Sequence, residues 1–354
     1  MKIIVTADIH NGYQGRLKDT IWSMEQISKY AVDNGISKVV VLGDLFHDRE
    51  SITIDVLHGV SKFFNDKPKD QEWIVIPGNH DMFLRNSWEI TSVGALRGLV
   101  TVYDRVCDFD IGDRKFVVVP FIEDEGKYRR VVKALESKYD DSCILLTHIG
   151  INNAVNNSCF LMKHWSVVDF SECKFSLILS GHYHLYQVVG SNVCYPGSPV
   201  SFRFDEGMVP HGFLVVDVIN LSVDFVDIKS IDSDYYPPDF IVVEDYNLDS
   251  LSRSTISNNK IKVKLTREYT KDELDDLRDK LINDGVVSVN WQKDNQVITV
   301  NEDVKCSVGS DPVFERWLGS VDHSKYDFEL LMKLHKEIET VAEDKFSRIA
   351  DIDE

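Results

Sequence analysis

The 354-residue chain contains no uninterrupted apolar run of about 18 residues, so nothing in it reads as a bilayer-spanning helix. Its opening, Met1-Lys2-Ile3-Ile4-Val5-Thr6-Ala7-Asp8, is too short and too soon charged for a secretory signal, and a cytoplasmic setting is expected. The six cysteines (Cys107, Cys143, Cys159, Cys173, Cys194 and Cys306) are scattered, with no C-x-x-C pair. Reduced thiols are expected, and zinc-finger and disulfide-scaffold readings are poor. No G-x-x-x-x-G-K-[ST] occurs, so any ATP dependence must come from a partner. Positive charge is in deficit: 39 Lys and Arg face 58 Asp and Glu, a net charge of −19. That balance weighs against non-specific binding of polyanions. No internal repeat or low-complexity tract is evident. What remains is an ordinary globular composition, 43% hydrophobic and 27% charged, with ample material for a core. At roughly 100–200 residues per domain, the length predicts one large domain with attachments, or two domains.

The first two-thirds of the chain alternates apolar β-branched runs with amphipathic helical stretches. Residues 2–6, 38–42, 72–77, 115–121, 143–147 and 175–180 read as buried strands. Residues 19–33 carry Ile21, Met24, Ile27 and Ala31 at helical spacing, with Gly35 as the stop. A second helix is expected over 51–65, with Ile54, Leu57, Val60 and Phe64 on its apolar face, and a third over 123–139. This alternation implies a layered α/β domain. From about Leu185 strands follow without helices, at 187–189, 193–195, 212–218 and 223–228, the last alternating like an edge strand. A break at 231–240 contains Pro237-Pro238. Beyond it lies a small unit: a strand at 260–265, a capping box at Thr270–Glu273 opening a helix stopped by Gly285, and strands at 286–291 and 296–300. A polar linker over 301–311 leads to an Asp311-Pro312 helix start and a long helix over 324–346.

The polar residues stand where the apolar strands end. Asp8-Ile9-His10, Gly43-Asp44-Leu45-Phe46-His47, Gly78-Asn79-His80-Asp81, Thr147-His148 and Gly181-His182-Tyr183-His184 each follow one. Residues just past the carboxyl ends of parallel strands converge on one crevice. Alone, His148 reads as a core histidine, and G-N-H-D as a turn. All five in order, each behind a strand, read as one site. Carboxylate, imidazole and amide donors without thiolate suit Mn²⁺, Fe²⁺ or Zn²⁺. Two such ions about 3.5–4 Å apart stabilise both the attacking and the leaving oxygen in displacement at phosphorus. The ligand shared between them should be a carboxylate, and Asp44 is the candidate. The glycines beside Asp44, Asn79 and His182 are expected to bring backbone close to metal and phosphate. His80 is expected to serve the leaving group with a proton or positive charge, its tautomer fixed by Asp81.

With these segments in view, the chain resembles the calcineurin-like metallophosphoesterases, whose motif series is D-x-H, G-D-x-x-[DH], G-N-H-D, a lone H and G-H-x-H. Within that superfamily it is most similar to the SbcD or meiotic-recombination-eleven nuclease family, including its phage members. Two features carry the narrower likeness: His47, where many superfamily members have aspartate, and Tyr195-Pro196-Gly197-Ser198-Pro199. The motifs cover roughly residues 1–205, and residues 240–300 resemble the family's small cap in strand–helix–strand pattern. The resemblance implies a layered α/β metallophosphoesterase β-sandwich flanked by helices, over 1–235. A small α+β DNA-contacting capping domain over 240–300, and a linker with C-terminal helices over 301–354, would follow.

The same resemblance implies one metal on Asp8, His10, Asp44 and His184 and a second on Asp44, Asn79, His148 and His182. His47 and His80 would face the scissile phosphate, with His80 the catalytic histidine. Two divalent ions are implied, Mn²⁺ first, with Mg²⁺, Fe²⁺ or Zn²⁺ as the other candidates. The implied activity is 3′-to-5′ exonuclease and single-strand endonuclease cleavage of DNA by in-line attack of a metal-activated water. The implied setting is an SbcCD-like repair and recombination complex: a homodimer paired with an SbcC-type coiled-coil ABC ATPase, in the host cytoplasm if the chain is phage-encoded. The helix over 324–346 is the candidate docking segment, though packing on its own domain fits its pattern as well. Arg85, Arg203 and Ser198 are the candidate substrate contacts, within a wider basic set of Arg97, Lys127, Arg129, Arg130 and Lys163. The acidic total leads us to expect weak DNA binding by the isolated subunit, with the partner supplying much of the affinity. The alternatives are a phosphodiesterase or phosphatase for small substrates, against which His47 and Tyr195–Pro199 argue, and a scaffold that has lost catalysis, although every ligand position is filled.

Overall fold

The computed structural model describes residues 1–157, 161–162, 170, 173–206 and 209–293. The expected strand at 296–300, the linker, the helix at 324–346, Lys163, Cys159 and Cys306 lie outside the described residues. In chain order the regular elements begin with β1 (Lys2–Thr6), α1 (Leu17–Asp33), β2 (Lys38–Leu42), α2 (Ile54–Asp66), β3 (Glu72–Ile76), β4 (Thr101–Val102) and β5 (Cys107–Ile111). Then come β6 (Arg114–Val119), α3 (Glu125–Lys138), β7 (Ile144–His148), β8 (Leu177–Gly181), β9 (Gln187–Val189), β10 (Val193–Tyr195), β11 (Gly212–Asp217) and β12 (Ser222–Asp227). The last described are β13 (Phe240–Glu244), α4 (Arg253–Ile256), β14 (Lys260–Leu265), α5 (Lys271–Asn283) and β15 (Ser288–Lys293).

Two six-stranded sheets form the frame, ordered β12-β11-β1-β2-β3-β4 and β5-β6-β7-β8-β10-β9. Their central strands are apolar at nearly every position because both faces are covered. Ile4, Val39, Val41 and Val75 pack under α1 and α2, while Ile3, Val5, Val40, Leu42 and Ile76 meet Phe116, Val118, Ile144 and Leu146 of the second sheet. Val117, Leu145 and Ile178 on that sheet's outer face are covered by Tyr128 and Val132 of α3. The layered α/β sandwich flanked by helices is therefore the fold. β1, β2 and β3 run parallel, as do β6, β7 and β8, so their carboxyl ends open on one edge.

Three details depart from the expected pattern. α2 buries Val56, Val60, Phe63 and Phe64, whereas Ile54 is 88% exposed. The apolar face is therefore turned from the expected one, and Gly59 rather than a larger residue rests near Leu17 and Ile21 of α1. β5, whose Asp108 faces outward, and the two-residue β4 are edge strands too short or too acidic to stand out. β13 is a strand inside what reads as the far side of a proline break. It forms with β14 and β15 a separate parallel sheet, one face of which packs Ile261 and Val263 against Leu281 of α5. The Thr270–Glu273 capping box is present. Cys107, Cys143, Cys173 and Cys194 are free thiols, and no helix among the described residues is long and apolar enough to cross a membrane.

Candidate metal centre

The turns that carry the polar residues are held in backbone conformations that side chains rarely adopt. Asp8, His10, Asp44 and His182 have φ of 53°, 51°, 54° and 106°. Such strain persists only where the surroundings over-determine it, and it clusters at functional sites. Here Asp8 N–H donates to the Gly43 carbonyl (3.0 Å), His10 N–H to the Asp44 carbonyl (2.9 Å), and His182 N–H to the Asp8 carboxylate (3.0 Å). The loops meet backbone to backbone. A Cβ on Gly43 would lie 2.7 Å from Gly78 Cα, and one on Gly78 2.6 Å from the Asp44 amide nitrogen. These glycines thus bring the loops close to one another and to the candidate ligands, a Cβ on Gly43 lying 2.4 Å from His148 Nδ1.

All seven expected metal ligands converge. Asp8, His10 and His184 offer donor atoms within 4.8 Å of one another, and so do Asp8, Asp44 and His148. Asn79 Oδ1 lies 3.0 Å from His148 Nε2 and 3.0 Å from His182 Nδ1. Asp44 Oδ2 stands between the two groups, 3.7 Å from His10 Nε2 and 3.4 Å from His148 Nε2. Two imidazoles are oriented from behind: His148 Nδ1 donates to the Leu42 carbonyl at 2.7 Å, and His184 Nδ1 to Glu206 at 2.7 Å. Each therefore turns Nε2 toward the carboxylates, the arrangement of a metal-ligating histidine with its outer partner. The donor set fits divalent cations. His47 and His80 stand beside it, rings stacked at 5.1 Å and 17°, and His47 Nδ1 is 3.3 Å from His10 Nδ1.

Burial and the charges packed together set the electrostatics between them. It lifts Asp8 to about 6 despite His148 and His184. Asp44 is also buried, yet His148 and His10 hold it well below the usual carboxylate range. Burial alone would lower His148, but Asp44 outweighs it and raises the imidazole to about 9, whereas burial and His148 push His182 down to about 3. Without a cation the pocket thus holds an Asp44–His148 ion pair, and a metal must displace the His148 proton. Loading the chain with Mn²⁺ at neutral pH should therefore release protons into a weakly buffered solution. Below the His148 value, affinity should rise by up to about tenfold per pH unit. Loading that neither releases protons nor varies with pH contradicts this.

Two expected roles are corrected. Asp81 does not orient His80: its buried carboxylate accepts from Gly78 N–H (3.0 Å), Leu45 N–H (3.2 Å), Phe46 N–H (3.0 Å) and the Ser92 hydroxyl (3.1 Å). It staples two site loops together. His80 Nδ1 instead donates to the His47 carbonyl at 2.6 Å, and His80 N–H to Asp44 Oδ1 at 2.8 Å. Ser198 is fully buried, its hydroxyl donating to the Val200 carbonyl at 2.9 Å and its N–H to the His184 carbonyl at 2.9 Å. It braces the His184 turn and cannot reach a substrate. Among the basic candidates, Arg97 and Arg129 are paired with Asp104 and Glu125, Arg85 with Glu123 at 3.0 Å, and Arg203 Nε lies 3.8 Å from Glu206. Lys127 lies over the Trp88 ring.

Glu206 escapes sequence reasoning, because it follows the Tyr195–Pro199 segment with no spacing rule to mark it. Buried, it accepts from His184 and from the Phe202 N–H. Replacing Glu206 with Gln should cut metal affinity by about 10–100-fold in a binding titration while the fold persists. Unchanged affinity would contradict the positioning role. Arg49 was also missed. It lines, with His47, Asn79, His80 and His182, an open groove of about 980 Å³ beside the centre.

Residues 1–186 match the family of calcineurin-like phosphoesterases. A protein of Invertebrate iridescent virus 3 named "Putative phosphoesterase 078R" is 25% identical over 52% of this chain and 54% of its own length. "DNA double-strand break repair protein Mre11" of Archaeoglobus fulgidus is 24% identical over 65% of this chain and 60% of its own. Its namesake from Halobacterium salinarum is 31% identical over 23% of this chain and 22% of its own. The chain thus covers less than two-thirds of the length of each of these relatives.

Proposed function

The chain belongs to the calcineurin-like phosphoesterases, and from that premise we propose that it is a divalent-metal-dependent DNA nuclease of the SbcD type, with 3′-to-5′ exonuclease and single-strand endonuclease activity. Asp8, His10, Asp44 and His184 would hold one ion, and Asp44, Asn79, His148 and His182 the other, with Mn²⁺ the proposed metal. When bound, such ions acidify water and neutralise charge developing on a phosphodiester. The chain's own contribution is positional. The His80 main chain fixes Asp44, and the ring, anchored through Nδ1, leaves Nε2 for the leaving oxygen. His47 packs against both His10 and His80 and confines that ring. Asp81 keeps the loops in register. A homodimer, with residues 240–300 as a cap and residues 324–346 docking a coiled-coil ATPase, completes the proposal.

The observation that carries the DNA reading is a lysine row. Lys260, Lys262 and Lys264 alternate along β14, outside the face packed on α5, and none has an ion-pair or hydrogen-bond partner among the described residues. Their cross-strand neighbours are Phe240, Val242 and Glu244 on one side and Ser288, Asn290 and Gln292 on the other, so a single acid shares the row. Alternate residues of a strand lie about 6.5–7 Å apart, comparable to successive phosphates of one strand. Its middle residue packs on the nuclease domain: Lys262 Nζ lies 4.6 Å from the centroid of the Phe204 ring, two residues before Glu206. A local basic strip inside an acidic total is how such a protein can bind a polyanion. The names of the archaeal relatives agree with this reading.

The test offers the Mn²⁺-loaded chain labelled single-stranded and duplex oligonucleotides alongside bis-p-nitrophenyl phosphate. Cleavage of DNA is expected, and hydrolysis of the small diester alone would contradict it. Changing Lys262 to Glu should weaken DNA binding irrespective of sequence and lower the log–log salt slope by about 0.7–0.9. An unchanged slope would place the phosphate contacts elsewhere.

A further inference from the structure

The loop between Asp81 and Ser92 presents Phe83 and Leu84 to solvent, 47% and 54% exposed, in the groove that His47, Asn79 and His80 line. Their exposure does not come from a loose loop. Phe83 N–H donates to the Ile90 carbonyl (3.1 Å), Ser87 N–H to Leu84 (3.1 Å), and Ser92 N–H to Asp81 (2.8 Å). Met82 bridges Thr91, and Trp88 Nε1–H donates to the Phe121 carbonyl at 2.9 Å, which pins the far side. A single exposed leucine needs no explanation, but two adjacent apolar side chains held against a polar centre do. Arg49 lines the same groove. Arg85 is taken by Glu123, whereas Arg49 has no ion-pair or hydrogen-bond partner among the described residues, although Asp48 and Glu50 flank it in sequence. An apolar platform, an uncommitted guanidinium and a candidate metal centre in one groove match, in order, a planar base, a neighbouring phosphate and a scissile phosphate.

We propose that Phe83 and Leu84 form a stacking platform for the nucleobase next to the scissile phosphate, with Arg49 holding the adjoining phosphate, so that the site selects unpaired nucleotides. The inference rests on the nuclease reading above and adds to it the form of the substrate. Every base has a π-face, so such a platform is indifferent to sequence. A base inside a duplex already has stacking partners on both sides and must be unstacked before it can use the platform. Single strands and frayed ends are therefore favoured for a physical reason that does not involve the metal ligands.

The experiment compares kcat/KM of the full Mn²⁺-loaded chain on two single-stranded oligonucleotides identical except that one lacks the base beside the cleaved bond. The wild type should prefer the base-bearing strand by about tenfold. Phe83→Ala combined with Leu84→Ala should bring that ratio to about one, and Phe83→Trp should preserve it. Arg49→Ala should raise KM on both strands and leave the ratio, with Arg49→Lys restoring part of the loss. A wild type that cleaves both strands equally leaves the nuclease reading standing and overturns the platform. A double variant that keeps the wild-type ratio overturns it too, and would leave the exposed pair to a protein partner. A wild type that hydrolyses bis-p-nitrophenyl phosphate but neither strand overturns both.

Discussion

Asparagine in place of Asp44 removes metal loading and turnover together. The carboxylate is buried, with Oδ2 facing His10 and His148 from between the two donor groups and Oδ1 accepting the His80 N–H. An amide keeps the volume and the acceptor for His80 but loses the anion that two cations would share. The fold should survive, because His148, whose raised pKa depends chiefly on Asp44 outweighing burial, can become neutral when that charge is gone. A loss of several kcal/mol of charge stabilisation corresponds to roughly 10³-fold or more in kcat. Metal analysis of the purified variant, beside its turnover, reads both effects. Full loading with wild-type turnover would show that Asp44 is not the shared ligand.

His80→Ala separates what Asp44→Asn joins. The side chain of His80 supplies none of the seven proposed donors, and its N–H, which holds Asp44, persists in alanine. Both ions should therefore remain while turnover falls by about 10²–10⁴, the usual contribution of a positioned proton donor. A fully active variant refutes the role. A variant that loses metal instead would make the ring a structural support for His10, whose ring lies 4.9 Å away in a T-shaped contact.

The ligands were legible because each stands just after an apolar run, where a parallel strand must end and its next residues must face the crevice. His148 shows this most simply, as the last residue of β7. What sits behind the ligands was not legible. Asp81 follows His80 in sequence, yet a tight turn sends its carboxylate away toward three backbone N–H groups. Ser198 and Glu206 belong to a segment whose purpose, bracing His184, exists only once that segment folds against the G-H-x-H turn. The lysine row was readable as a strand, but its lack of acidic partners depends on which strands flank it in the third sheet. The face of α2 was misassigned for a related reason: Ile54 begins the helix beyond the reach of the sheet, so its apolar side chain says nothing of the core.

The central claim is that separate turns deliver their side chains to a pair of adjacent cations. Electron paramagnetic resonance of the chain loaded with two equivalents of Mn²⁺ tests it most directly, because ions about 3.5–4 Å apart through a shared carboxylate are spin-coupled. A coupled multiline spectrum is expected, and it should be lost in Asp44→Asn. A simple six-line spectrum of isolated Mn²⁺ in the wild type, or no bound metal, would contradict it.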